Sequence, residues 1–151
     1  MIYLKKAYDV AALSPDPSTQ YGVVIVSGSD IITGFNHPIH QQKFADRDER
    51  LRYTEHAERA AIYRAAYHGV CTRGATMYAP GLACMNCARA IVYSGISKVV
   101  CHAERVAVST LWDEEIQAAF KYFEKCGVLV EKYSGKLNAT PVLISGKYWQ
   151  P

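Results

Sequence analysis

The sequence predicts an α/β fold in which five strands alternate with helices, the first two strands forming a hairpin and the last two running parallel. Three observations carry this. The β-branched runs at 21–26 and 31–35 flank the turn residues Gly28-Ser29-Asp30, the pattern of a hairpin. An amphipathic stretch at 113–126, with Ile116, Ala119, Phe120 and Phe123 on one stripe, separates the apolar segments 96–101 and 128–130. A helix inserted between two strands implies a crossover, and a crossover makes the pair parallel. Finally, 151 residues with 50% hydrophobic content suit one domain, 1–151, with a single core.

The elements follow in order. Residues 2–13 set Ile2, Leu4, Val10 and Leu13 among lysines and alanines, an opening helix stopped by Ser14-Pro15-Asp16-Pro17. The hairpin comes next. Residues 36–52 are polar without a steady period and read as a long loop or a short irregular helix, a length that is usually functional or disordered. From Thr54, a possible cap, the alanine-rich stretch at 56–69 forms a helix closed by Gly69. Residues 75–79 make the third strand, 84–94 a helix with two cysteines in its first turn, and 96–101 the fourth strand. The tail at 141–151 fits either an extended edge segment or a loose end.

Charge and composition narrow the function classes. A net charge of +3, with 17 basic residues spread along the chain, argues against an extended nucleic-acid surface and suits a small anionic substrate. The N-terminus has charges inside it and no apolar run long enough for a leader or a membrane span, so the expected location is cytoplasmic. There the five cysteines should be thiols, metal ligands or buried apolar groups, and Cys71, Cys101 and Cys126 are expected to be buried.

The sharpest chemistry lies in His56-Ala57-Glu58 and Cys84-Met85-Asn86-Cys87. Imidazole and two thiolates are zinc ligands, and a zinc with three protein ligands keeps its fourth position for water. Glu58, two residues past His56, can share its pocket only where a helix begins. A C-x-x-C alone also suits a structural zinc or a redox pair. A closed site would draw its fourth ligand from Cys71, Cys101 or His102. The combination H-x-E followed by P-C-x-x-C is the pattern of zinc nucleobase deaminases, met here except that Ala83 stands for the proline, which stiffens the loop but ligates nothing.

The match extends beyond the metal motif. Residues 14–26 (SPDPSTQYGVVIV), Gly34-Phe35-Asn36, His56 to Ile62, and Cys87 to Ile91 leading into Ser94-Gly95-Ile96 together resemble the deoxycytidylate (dCMP) deaminase family. The resemblance covers about residues 1–132 and leaves 133–151 as a C-terminal extension. It implies a three-layer α/β/α cytidine deaminase-like fold, a homo-oligomer, a nucleotide substrate, and hydrolysis of dCMP to dUMP and ammonia that supplies thymidylate synthesis. By the same resemblance His56, Cys84 and Cys87 hold Zn2+, Glu58 moves the protons, and Asn36 meets the sugar and phosphate. Ala57, His37, Arg47, Arg50 and Arg52 are further substrate-binding candidates, with His40 in the same segment.

The loop after Asn36 departs from the family. His37 replaces a glycine, and a later glycine is missing around Ile39-His40. A 5-modified dCMP therefore stands as an alternative substrate. Deamination of tRNA adenosine or of single-stranded polynucleotide would share the zinc and the glutamate but needs a basic groove with stacking aromatics. Guanine or riboflavin-pathway deamination is a smaller alternative, and a zinc-stabilised binding module is the non-enzymatic one.

Overall fold

The computed structural model describes residues 1–38, 43–107 and 113–151. A five-stranded sheet runs in the order β2-β1-β5-β6-β7, where β1 is Gly22–Ser27, β2 Asp30–Phe35, β5 Thr76–Ala79, β6 Lys98–His102 and β7 Leu129–Tyr133. The first two strands pair antiparallel about Ser27↔Asp30, β1 pairs antiparallel with β5, and β5-β6 and β6-β7 are parallel. The predicted mixed sheet with parallel last strands is the one observed.

Helices cover both faces, which makes three layers. On one side α3 (Ala57–Tyr67), α4 (Met85–Tyr93) and α6 (Asp113–Lys125) bury Ala61, Cys87, Ile91 and Phe123 against Val23, Met77 and Val99 of the sheet. On the other, α1 (Ile2–Ala11) and the C-terminal segment enclose Leu4, Tyr8, Ala11, Leu137 and Val142. His102, 2% exposed, joins these parts: its Nδ1 accepts from the Tyr8 hydroxyl at 2.8 Å and its Nε2 donates to the Gly135 carbonyl at 3.0 Å.

Several expectations are corrected. The 36–52 segment holds a two-residue strand, β3 (His37–Pro38), and a regular helix, α2 (Arg47–Tyr53). Asp46 starts that helix by accepting from the Glu49 N–H, an N-cap hidden in a polar run without hydrophobic period. Thr54 does not cap the zinc-motif helix; its hydroxyl donates to the Arg50 carbonyl, while β4 (Thr54–Glu55) pairs with β3. Cys101 is buried as expected, but Cys71, in the loop after α3, and Cys126, past the end of α6, are exposed. The tail is neither edge nor loose end: β8 (Val142–Ile144) and β9 (Lys147–Trp149) form their own hairpin. A short α5 (Ala103–Ala107) follows β6.

One glycine sets how closely the site approaches the sheet. A Cβ on Gly34 would lie 2.5 Å from the Ala61 nitrogen and 2.6 Å from the Ala57 carbonyl oxygen. Backbone therefore packs on backbone where β2 meets the first turn of α3. Gly34→Ala should lower stability by about 1–3 kcal/mol, the usual effect of overpacking. It should also reduce activity, because the same push moves the turn that carries His56 and Glu58. Thermal unfolding and kcat, measured together, check both.

Candidate active site

Both halves of the metal motif sit at helix starts. His56 is the N-cap of α3 and Cys84 the N-cap of α4, each in extended backbone and neither with a side-chain capping bond. Their side chains are thus free to turn toward each other, and Cys87 follows in the first turn of α4. Three ligand atoms, one from each residue, lie within 4.8 Å of one another. His56 Nδ1 is 3.7 Å from the Cys84 sulfur and 3.5 Å from the Cys87 sulfur.

These separations can be tested against zinc. Tetrahedral bonds of about 2.3 Å to sulfur and 2.0–2.1 Å to nitrogen place S and N about 3.5 Å apart. The residues present fit that ion. Among the described residues the group has three members. Cys101 Sγ instead faces the Glu131 carbonyl, His102 is held by Tyr8 and Gly135, and Cys71 is exposed on its loop. Among the described residues none of these three candidates for a fourth ligand joins it, so the described group has the three-ligand form of a reactive zinc site.

The cysteine pair is poised for a cation. A hydrogen bond from Cys87, and then one with His56, pulls the Cys84 thiol down to about 3. As donor to Cys84, and through burial, the Cys87 thiol is pushed up. A coordinating thiol is deprotonated by its metal, and the first turn of α4 favours negative charge there. His56 is pushed up chiefly by its bond with Cys84.

Glu58 is 4% exposed, and its Oε2 lies 3.5 Å from the Cys87 sulfur. Burial raises its carboxyl above the ordinary carboxylate range, with the His56 charge pulling the other way. A carboxyl made easier to protonate beside a metal site is equipped to hold a proton and release it.

These groups open onto a cavity of about 750 Å³, a size that accommodates one small molecule. Of the predicted residues, Asn36, Arg47, Arg50, Ala57, His56, Glu58 and Cys84 line it. His37 and Arg52 are not among its lining residues; the His37 ring packs against Phe35 at 5.0 Å. His40 lies outside the described residues.

Asn36 is committed on both sides of its amide. Its Oδ1 accepts from the Tyr21 N–H at 2.7 Å and its Nδ2 donates to the Thr19 carbonyl at 2.8 Å, so it fixes the loop before β1 to the end of β2. An amide nitrogen carries two hydrogens, and one remains for a ligand. Arg50 Nε is 3.6 Å from Asp16, whose Oδ1 also accepts from the Ser18 and Thr19 N–H groups.

Sequence reasoning missed several lining residues. Arg105 comes from the unforeseen α5, in a stretch where no periodicity announces a helix. Glu115 Oε2 accepts from the Met85 N–H at 3.2 Å, at the positive end of α4. In sequence it was one of three acids opening α6. Tyr21 is half-buried; desolvation of its phenol pushes that group up, and its hydroxyl accepts from the Gly81 N–H at 2.8 Å. Ile144 and Ser145 come from the terminal hairpin.

Residues 2–103 match the model of the cytidine and deoxycytidylate deaminase zinc-binding region. The chain belongs to that family. As a member of the cytidine and deoxycytidylate deaminases it is a hydrolytic deaminase, and the matched zinc-binding region contains the His56, Cys84, Cys87 group. Among curated relatives, a protein named as an uncharacterized deaminase in the luxG 3′ region of Aliivibrio fischeri is 37% identical over 133 residues, covering 85% of this chain and 88% of the relative. The deoxycytidylate deaminase of Mus musculus is 28% identical over 148 residues, covering 90% and 80%. In fold, the chain resembles the dCMP deaminase of cyanophage S-TIM5 with a TM-score of 0.67 at 20% identity, over 87% of this chain and 94% of that one. Among the described residues no helix is long and apolar enough to cross a membrane.

Proposed function

We propose that this deaminase hydrolyses dCMP to dUMP and ammonia. The observation that carries the proposal is a single cavity lined by His56, Cys84 and buried Glu58 together with Arg47 and Arg50. The mouse relative named deoxycytidylate deaminase supports the same substrate.

Ring geometry links the two groups. In cytosine, C4 bears the amine and N1, across the ring, bears the sugar. With C4 at His56, Cys84 and Glu58, the sugar and phosphate must point away from them. Arg47 and Arg50 are then the cations for the phosphate, with Arg105 also lining the cavity. Arginine suits this role through its planar, permanently charged fork.

When bound by His56, Cys84 and Cys87, zinc supplies the Lewis acidity that makes water nucleophilic near neutral pH. Glu58 does the proton work. Its carboxylate takes a proton from the attacking water and passes it to N3 as the ring loses aromaticity; it then takes the proton of the new C4 hydroxyl and gives it to the amine, which departs as ammonia as the C4 carbonyl forms. Burial excludes bulk water and raises the carboxyl's proton affinity, so one group serves as base and then as acid.

Asn36 orients the sugar. Asn36→Ala should leave zinc content unchanged and raise KM about tenfold, the equivalent of one hydrogen bond. A steady-state comparison with dCMP checks this. The substrate itself is tested by a panel of dCMP, 5-substituted dCMP, CMP, deoxycytidine and tRNA, read by ammonia release at measured zinc content. The proposal expects dCMP to lead and deoxycytidine, which lacks the phosphate, to trail in KM. Preference for the free nucleoside, or for tRNA, contradicts it.

A further inference from the structure

Ile144 and Ser145, from the C-terminal extension, line the same cavity as Glu58 and Arg50. They belong to the tight turn between β8 and β9, where Ile144 pairs with Lys147 and only Ser145 and Gly146 intervene. Both turn residues have positive φ, 50° and 78°, the primed-turn geometry of two-residue hairpins. For serine this backbone is unfavourable and persists where surrounding contacts impose it.

The contacts that impose it come from the loop beside the arginine. The Ser145 N–H donates to Thr19 Oγ1 at 3.2 Å and the Gly146 N–H to the Ser18 carbonyl at 2.7 Å. One residue further on, Gln20 N–H donates to the Leu143 carbonyl at 2.9 Å, and Gln20 Oε1 accepts from the Leu143 N–H at 3.0 Å. At its base the hairpin is rooted in the core through Val142, 1% exposed beside Leu4 and Tyr8. Four hydrogen bonds and a buried root hold the turn against the loop whose Asp16 pairs with Arg50.

We propose that this C-terminal hairpin sets substrate length: Ile144 and Ser145 close the phosphate end of the cavity, admitting a mononucleotide and excluding a chain that continues beyond its phosphate. The inference rests on the deaminase reading above. With C4 at Glu58, the phosphate is directed to the wall where Arg50, Asp16, Ser18 and the turn are bonded into one unit. A nucleotide extended through its phosphate would have to pass Ser145. Polynucleotide deamination also needs stacking platforms along an open groove. Among the described lining residues Tyr21 is the one Phe, Tyr or Trp, and its hydroxyl is engaged by Gly81.

The test compares the zinc-loaded wild type with the double variant Ile144→Ala, Ser145→Gly. The glycine keeps the positive φ without strain, so the hairpin is retained, and circular dichroism verifies it. Each protein is given dCMP and the dinucleotide in which deoxycytidine carries a thymidine on its 5′ phosphate. Turnover is followed for both, and so is inhibition of dCMP turnover by the dinucleotide. The wild type should favour dCMP at least about 100-fold in kcat/KM and be scarcely inhibited. The double variant should narrow that preference at least tenfold and become inhibited by the dinucleotide. A folded variant with the wild-type preference and no new inhibition overturns the gate. So does a wild type that accepts both substrates equally, although deamination then stands. A wild type that turns over neither removes the functional reading and the gate together.

Discussion

Glu58→Gln should lower kcat by at least about 10³-fold while zinc stays bound at the wild-type stoichiometry. General acid-base transfer by one positioned group contributes about 10²–10⁴-fold, and Glu58 is assigned two transfers in sequence. None of the three metal-facing atoms belongs to Glu58, so the ligand set survives the change. Glutamine preserves the shape and removes the ability to take and release a proton. Stability should stay level or rise, since a carboxyl buried to 4% exposure resists ionisation and its neutral isostere does not. Ammonia release, zinc analysis and thermal unfolding on one preparation separate these effects. A variant that keeps wild-type turnover removes Glu58 from the proton path.

Cys87→Ala should abolish zinc binding and activity together, to below about 0.1 zinc per chain. Cys87 is fully buried against α3 and approaches both His56 Nδ1 and Glu58 Oε2, so the trio loses its central member. Zinc that binds only the folded chain stabilises it by mass action, about 2.7 kcal/mol at 100 times its Kd. For a chain of this size that amounts to at least about 5 °C in Tm. A chelator should accordingly lower the wild-type Tm by this amount and leave the variant where it already is. An apo protein with an unchanged Tm contradicts the coupling of this site to the fold.

The His56, Cys84 and Cys87 cluster was legible because its spacing is local. His56 and Glu58 are two residues apart and Cys84 and Cys87 three, and each pair needs only a helix start to aim it. The parallel β6-β7 pair was legible for the same kind of reason, since a helix between strands permits little else. What stayed hidden depends on contacts between distant segments. Arg105 reaches the cavity because a five-residue helix, too short to show a period, turns the chain after β6. Glu115 looked like one of several first-turn acids until α6 was placed against the start of α4. Ser145 lines the pocket through bonds to Thr19, 126 residues away in sequence. Asp46 capped a helix that a polar stretch had concealed, and the exposure of Cys71 and Cys126 followed from loop placement, not from residue type.

The central claim is that a metal trio and one buried carboxyl remove the amine of a cytosine nucleotide. The most direct measurement incubates zinc-loaded protein with dCMP and follows ammonia and dUMP together. One dUMP per ammonia, abolished by chelation and restored by zinc, is the result predicted. Zinc bound at one per chain with dCMP left intact would contradict it.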